Sequence, residues 1–475
     1  MLISKFQYII SNTAFDQPLK NSKIFSHQNF HIQIHNSNSE NLIIHKNSIF
    51  FGECFDFENP EYTHRKIVES INELTPESRI EMINRLSGQY IFIFFNEDAT
   101  LIFNDAAGQL EVFIHHASKK LYVSSEPQFI LYYNRENESE QSQEVPKYIK
   151  ENKINIFGTT PFHHISKLIP NFYYDVEKKR SERFFPNHPL IPGSVTDIAQ
   201  NAIHVMEKII ESMTKRKRVA LALTGGWDSR ILFAASLKHR QSIDYFILNH
   251  KTKLCDIDIE IAEKISDEFS IKLEVIDYDL SENDLDHTEQ PILWKANINQ
   301  QKLAKIVQHH YPNHYIINGT VSEIAKNFYD PLPHLLSLHD ISFITGVKSG
   351  RYETAAVSKW METINDHLHI LDYIQWENKM PNWAGSVRSN TNPYFTSISP
   401  FNNRYLLSLL LSTEREARDK YFHLLYRDIL NLVNPRLTEI PVNPIRKQNW
   451  IKTMKKAGIY PLYRKALFKM RMLRI

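Results

Sequence analysis

The sequence predicts a two-domain protein of mixed α/β and α+β class. A β-rich first third is followed by strands alternating with helices, as in a parallel sheet, and then by a helical C-terminal part. Three observations predict it. The chain has 475 residues, more than one core ordinarily organises. Before Pro186, apolar runs rich in β-branched and aromatic residues stop at turn residues. After Gly193, short buried-type strands alternate with helical segments, the signature of βαβ units.

The elements follow in order. "NLIIHKNSIFFGE", "GQYIFIFFNEDATLIFND" and "KKLYVSSEP" read as strands, the second broken at "NEDA". Residues 134–146, "NRENESEQSQEVP", are polar and aperiodic and read as a surface loop. "PNFYYDVEKKRSERFFPNHPLIPGS" leads out of this region, and a boundary between Pro186 and Gly193 gives domains 1–190 and 191–475. Ile198, Ala202, Val205, Ile209 and Met213 then recur at helical spacing behind Ser194 or Thr196 as N-cap. "RVALALTGG" reads as a buried strand, "DSRILFAASLKHR" as a helix and "IDYFILNH" as a second strand. "DIDIEIAEKISDEF", "IKLEVIDYD", "QKLAKIVQHH" and "HYIINGT" continue the alternation, and the chain from Asp330 onward reads as mostly helical.

Bulk composition sets limits. Hydrophobic residues make up 42%, charged residues 23%, and the formal net charge is +2. Nothing global favours nucleic acid. The two cysteines, Cys54 and Cys255, lie far apart and have no CxxC partner, which argues against a disulfide scaffold or a cysteine zinc site and fits a reducing compartment. The N-terminus lacks the basic start, apolar core and cleavage site of a secretory signal. There is no apolar run of about 18 residues. The expected location is cytoplasmic, with no membrane and no nucleic acid as partner.

Chemistry concentrates in "VALALTGGWDSRILF". Gly225 and Gly226 permit close backbone approach to a ligand. The helix starting near Asp228 presents unpaired amides and a positive dipole end, a phosphate site. Thr224 and Ser229 add hydroxyl donors, and Asp228 suits Mg²⁺, which takes carboxylate and phosphate oxygens together. No lysine follows the glycines, so this is not a Walker A loop. The pattern [ST]GGxDS is that of a pyrophosphate loop in enzymes that split ATP into AMP and PPi. "HHYPNH" has no acidic partner close by and reads as a helix-end loop rather than a ligand set. The basic tail "KTMKKAGIYPLYRKALFKMRMLRI" reads as a solvated helix face.

Across nearly its full length the chain resembles the asparagine synthetase family, with its relatives β-lactam synthetase and the lasso-peptide cyclases. "LTGGWDSR", "CDIDIEIAEKISDEF", "INGTVSEIAKNFYD" and "ISPFNNRYLLSLLLS" carry the likeness in the second half. "LSGQYIFIFFNEDATLIFNDAAGQLEVFIHH", "VSSEPQFI" and "ISKLIPNFYYDV" carry it in the first. The resemblance implies an N-terminal Ntn-type αββα sandwich and a C-terminal ATP-pyrophosphatase domain, adenine nucleotide alpha hydrolase-like. Glutaminase activity in that family needs a cysteine at position 2, where this chain has Leu2, so the first domain is expected to be inactive scaffold. Ser322 stands where asparagine synthetases have aspartate.

The resemblance further implies an ATP-dependent, AMP-forming amide ligase. It would adenylate a small-molecule or peptide carboxylate and pass it to an amine. ATP and Mg²⁺ are the expected cofactors. Thr224, Gly225, Gly226 and Ser229 would hold pyrophosphate, and Asp228 and Glu323 would hold Mg²⁺. Leu223 and the backbone at Leu248 would lie beside the nucleotide. Lys447, with Lys379 as its rival, would neutralise the intermediate. An ammonia-dependent asparagine synthetase and a non-catalytic ATP-binding pseudo-ligase are the alternatives.

Overall fold

The computed structural model describes residues 1–135, 145–162, 164–280, 291–329, 336–348, 350–442 and 449–472. Most of the expected 134–146 loop, residues 136–144, lies outside the described residues.

The first half contains β1 (Tyr8–Ser11), β2 (Ser22–His27), β3 (Phe30–His35), β4 (Leu42–His45) and β5 (Ser48–Asp56), then α1 (His64–Asn72) and α2 (Pro76–Arg85). It continues with β6 (Leu86–Phe95), β7 (Thr100–Asn104), β8 (Phe113–Ala117), β9 (Lys120–Ser124), α3 (Pro127–Asn134) and α4 (Lys147–Glu151). It closes with β10 (Ile165–Lys167), β11 (Phe172–Asp175) and β12 (Arg180–Arg183). These strands form two six-stranded antiparallel sheets, ordered β10-β8-β9-β1-β3-β2 and β12-β11-β7-β6-β5-β4. "NEDA" is a turn, with Asn96 N–H bonded to Ala99 O at 2.9 Å.

The strand period of two explains how the sheets stack. On β6, Ile91, Ile93 and Phe95 face a core shared with Ile10, Ile32 and Val123 of the other sheet. The alternate residues Tyr90, Phe92 and Phe94 face a second core, with Ile67 and Ile71 of α1 and Met82 of α2. Outside the first sheet, Phe129, Ile130 and Leu131 of α3 pack on Ile9, Phe113 and Tyr122. The order of layers is therefore helix, sheet, sheet, helix.

The second half opens with α5 (Val195–Arg216), β13 (Val219–Ala222), α6 (Trp227–Ser236), β14 (Ile243–Asn249), α7 (Lys253–Phe269), β15 (Leu273–Asp277), α8 (Ile298–His310) and β16 (Tyr315–Ile317). Then come α9 (Leu338–Ile344), α10 (Arg351–Met361), α11 (Ile370–Tyr373), α12 (Met380–Thr391) and β17 (Thr396–Ile398). It ends with α13 (Arg404–Leu411), α14 (Leu424–Val433), α15 (Arg436–Glu439), α16 (Asn449–Lys456) and α17 (Tyr460–Met472). Ser194, not Thr196, caps α5 and accepts from Asp197 N–H.

Five strands form a wholly parallel sheet in the order β15-β14-β13-β16-β17. Val219 and Leu221 of β13 pack with Ile209 of α5 and Ile231 of α6, while Ala220 packs with Val307 of α8 on the opposite face. The sequence reading missed β17. It is three residues long inside an otherwise helical region, too short for periodicity to register.

The two halves share one core and several buried polar contacts. Tyr315 at the start of β16 donates to Glu53 of β5 at 2.9 Å. Arg216 of α5 donates to Cys54 O at 2.7 Å. "DAAGQ" and "PFNNR" meet here. The Asp105 carboxylate accepts from the Ala107, Gln109 and Leu110 amides and from Asn402 Nδ2. Arg404 donates to the carbonyls of Asn104 and Asp105.

Candidate nucleotide site

β13 ends between β14 and β16, the point where the strand order reverses. In open parallel sheets the chain diverges there, leaving a crevice beyond the carboxyl ends. Residues 223–226 span that end and lead into α6, whose N-cap is Gly226 and whose first turn receives no side-chain cap.

The loop is knitted by its own hydroxyls. Thr224 Oγ1 and Ser229 Oγ lie 2.9 Å apart, and Ser229 Oγ donates to Thr224 O at 3.1 Å. The Thr224, Gly225 and Gly226 amides donate to Ser229 Oγ (3.2 Å), Asp258 Oδ1 (3.2 Å) and Thr224 Oγ1 (3.3 Å). The amides left for a ligand are those of the first turn of α6, where the sequence reading expected unpaired N–H groups. Gly225 serves close packing: a Cβ there would lie 2.6 Å from Asp258 Oδ1 and 3.0 Å from Ile261 Cδ1.

The loop after β16 closes the other wall. Gly319 lies against Asp228 so closely that a Cβ would meet Asp228 Cβ at 2.5 Å. Thr320 N–H donates to Asn318 Oδ1, and Ser322–Ile324 form a short 3₁₀ turn. That turn carries Glu323 toward Asp228. Burial, with the Asp228 charge adding to it, pushes the Glu323 carboxyl above its ordinary range against the pull of Lys326. Lys326 Nζ lies 2.6 Å from Asp228 Oδ2. Asp228 Oδ1, Glu323 Oε2 and Ser322 Oγ are buried and have no hydrogen-bond partner among the described residues. Two orphaned carboxylate oxygens beside an uncapped helix start are what Mg²⁺ with a polyphosphate requires, so the residues fit that group.

The remaining wall is aromatic. Trp227 lies 5.1 Å from the His423 ring, and His423 also stacks on Tyr426, whose hydroxyl donates to Ser322 O. Burial first, then the Lys326 charge, pushes His423 down to about 4, so its imidazole is neutral near pH 7. On the α8 face of the sheet, Ala222 and Leu248 are half-buried beside Phe246 and Val307, an apolar shelf at the ends of β13 and β14.

The structure thus brings Thr224, Gly225, Gly226, Asp228, Ser229, Glu323 and Leu248 to one edge of the sheet. Leu223, expected beside the nucleotide, has its side chain fully buried in the main core and its amide bonded to Phe246 O. Lys447 lies outside the described residues. Lys379 is exposed at the end of the π-helical stretch Ile374–Lys379. Arg230 faces neither phosphate nor solvent: it is buried and donates to the carbonyls of Leu437, Ile440 and Pro441. Sequence reasoning missed Lys326, Asp258, Gly319 and His423. Only Lys326 left a signal, three residues after Glu323 in "SEIAK".

No protein-family model matches the chain, and no curated protein matches it. Solved structures match at low similarity. A glutamine-dependent NAD⁺ synthetase from Acinetobacter baumannii, solved with ADP, is 12% identical with a TM-score of 0.22; the match covers 44% of this chain and 41% of that one. An NH₃-dependent NAD synthetase from Campylobacter jejuni is 11% identical with a TM-score of 0.21, over 36% of this chain and 74% of that one. A glutamine phosphoribosylpyrophosphate amidotransferase from B. subtilis is 12% identical with a TM-score of 0.24, over 68% and 71%. The chain spans about two fifths of the first of these. At such scores the likeness carries no functional argument.

Proposed function

We propose that the chain is an ATP-dependent, AMP-forming amide ligase of the asparagine synthetase type, with domains at 1–190 and 191–475 and an inert glutaminase-like first domain. The observation that carries this reading is the pair of buried oxygens on Asp228 and Glu323, without a partner among the described residues, beside the uncapped start of α6 at the strand-order reversal.

Asp228 and Glu323 would hold Mg²⁺, which supplies positive charge to the phosphate oxygens. The first turn of α6 would bind the β- and γ-phosphates, with the Thr224 and Ser229 hydroxyls turning from the loop to them. Ala222 and Leu248 offer a flat apolar surface for adenine. Lys326 would leave Asp228 for the charge that develops on the phosphoryl oxygens, taking the neutralising role expected of Lys447. Neutral His423 donates or accepts one hydrogen bond toward the crevice and adds no charge.

The first domain has no candidate nucleophile in its cysteine. Cys54 is fully buried on β5, and burial pushes its thiol far above the ordinary range. The second domain would therefore take its amine from solution or from a bound substrate.

The test is a panel of carboxylates with ATP·Mg²⁺ and hydroxylamine. An acyl-adenylate yields a hydroxamate, AMP and PPi, and we expect all three to appear together for the right acid. Release of ADP and phosphate, or no nucleotide cleavage with any acid, contradicts the reading. Asparagine formed from aspartate and ammonia would narrow it to a synthetase.

A further inference from the structure

We propose that the helical pair α16–α17 seats the protein on an anionic lipid bilayer surface. This inference is independent of the ligase reading and departs from the expectation of a solvated tail without a membrane partner.

Charge is the first ground. Residues 440–475 contain ten of the chain's 56 Lys and Arg and none of its 54 Asp and Glu. The rest of the chain is consequently net acidic, and the basic excess is confined to this one end. The second ground is exposed apolar surface. Trp450 is 49% exposed, Ile459 50%, Leu462 70%, Tyr463 36% and Met470 53%. Leu462, Ala466 and Met470 recur every fourth residue, so they share one stripe of α17. Trp450 of α16 meets Tyr463 of α17 at 5.4 Å, which joins the stripe to the first helix. A solvated face accounts for the lysines but not for these side chains.

The pair is attached by its opposite side. Lys455 pairs with Asp419 between the Tyr421 and Tyr460 rings, and Tyr460 is 2% exposed. Lys456 and Lys465 are exposed, and Lys465, three residues after Leu462 on α17, lies on the side of that helix that carries the apolar stripe. Basic and aromatic residues on one outward surface are the composition of an interfacial helix, in which apolar groups enter the acyl boundary and lysines meet lipid phosphates. A peptide partner would need a groove, and Leu462 stands too far into solvent to line one.

The experiment is sedimentation of the full chain with vesicles of phosphatidylcholine alone and of phosphatidylcholine mixed with phosphatidylglycerol. We expect binding only to the anionic vesicles, released by high salt. Lys456→Glu with Lys465→Glu should reduce partitioning by about tenfold or more. Leu462→Ser with Met470→Ser should reduce it while thermal melting stays unchanged. Tryptophan emission should shift to the blue on binding, and Trp450→Phe should remove the shift while sedimentation persists. Absence of binding to anionic vesicles, or equal binding to neutral ones, overturns the proposal. So does concentration-dependent dimerisation through this patch, or capture of an acidic peptide, without vesicle binding.

Discussion

At the amino ends of the parallel strands, Asp244 accepts three bonds from Arg218, at 2.8, 2.9 and 3.2 Å, and lies 3.1 Å from His314 Nε2. Glu274 accepts from Tyr311 at 2.7 Å and lies 2.8 Å from His310 Nδ1. Glu53 accepts from Tyr315 and pairs with His64 at 2.8 Å. At the carboxyl ends of the same strands, Asp228 Oδ1 and Glu323 Oε2 receive no hydrogen bond among the described residues. Both edges are built from carboxylates, histidines and cations. At one edge every one of these carboxylates is paired, and the pairs tie strand to strand and one half to the other. The other is held open by neighbours that stop short of satisfying it. A buried polar group without a partner costs stability and persists where something else uses it.

The largest expected effect lies at the open edge. Asp228→Asn should lower PPi release about a thousandfold or more while the melting temperature holds, read in a coupled pyrophosphate assay. An equal loss from a substitution at the closed edge would erase the contrast.

Glu53→Gln probes the closed edge. It should destabilise the fold by about 3 kcal/mol, measured by urea unfolding, because a buried pair loses one member. Burial alone would raise the Glu53 carboxyl, but His64 and Tyr315 hold it down to about 2 from an ordinary 4.5. Its contribution is therefore complete above about 4.5 and is lost as pH falls toward 2. The stability gap between wild type and variant should close over that window.

Gly319→Ala forces a Cβ onto Asp228. It should cost about a hundredfold in turnover through misplacement of Asp228, and about 1–3 kcal/mol of stability, because the Asp228 Cβ and backbone it meets cannot swing aside. Glu323→Gln should weaken Mg²⁺-dependent nucleotide binding about tenfold. Because burial raises the Glu323 carboxyl, wild-type Mg²⁺ affinity should fall with acidification from a higher pH than a free carboxylate would give. The variant should show no such limb in calorimetric titrations across pH. Arg218→Ala removes a pair whose arginine is 63% exposed, and should cost no more than about 0.5 kcal/mol.

Much of this was legible in the sequence. Strand and helix periods placed β13 to β16 and their helices, and the glycine turn after β13 marked the edge. What escaped depended on non-local packing. His310 and His314 gave no reason to expect separate carboxylates, Glu274 and Asp244, as partners. Lys326 reaches Asp228 across 98 residues of chain. His423 reaches Trp227 only because α14 returns to α6. The glycine pair was read as a place for close approach of a ligand, and Asp258, one turn into α7, is what comes close to Gly225, accepting from its amide. β17 was too short to see, and Leu223 was drawn inward by the strict alternation of a buried strand.

The central claim is that the open edge binds a nucleoside triphosphate through Mg²⁺. The most direct test is calorimetric titration of the purified chain with a non-hydrolysable α,β-methylene ATP analogue, with and without Mg²⁺. Saturable binding that needs the metal and disappears in Asp228→Asn is expected. Binding that ignores Mg²⁺ or survives that substitution, or no heat at millimolar analogue, would contradict it.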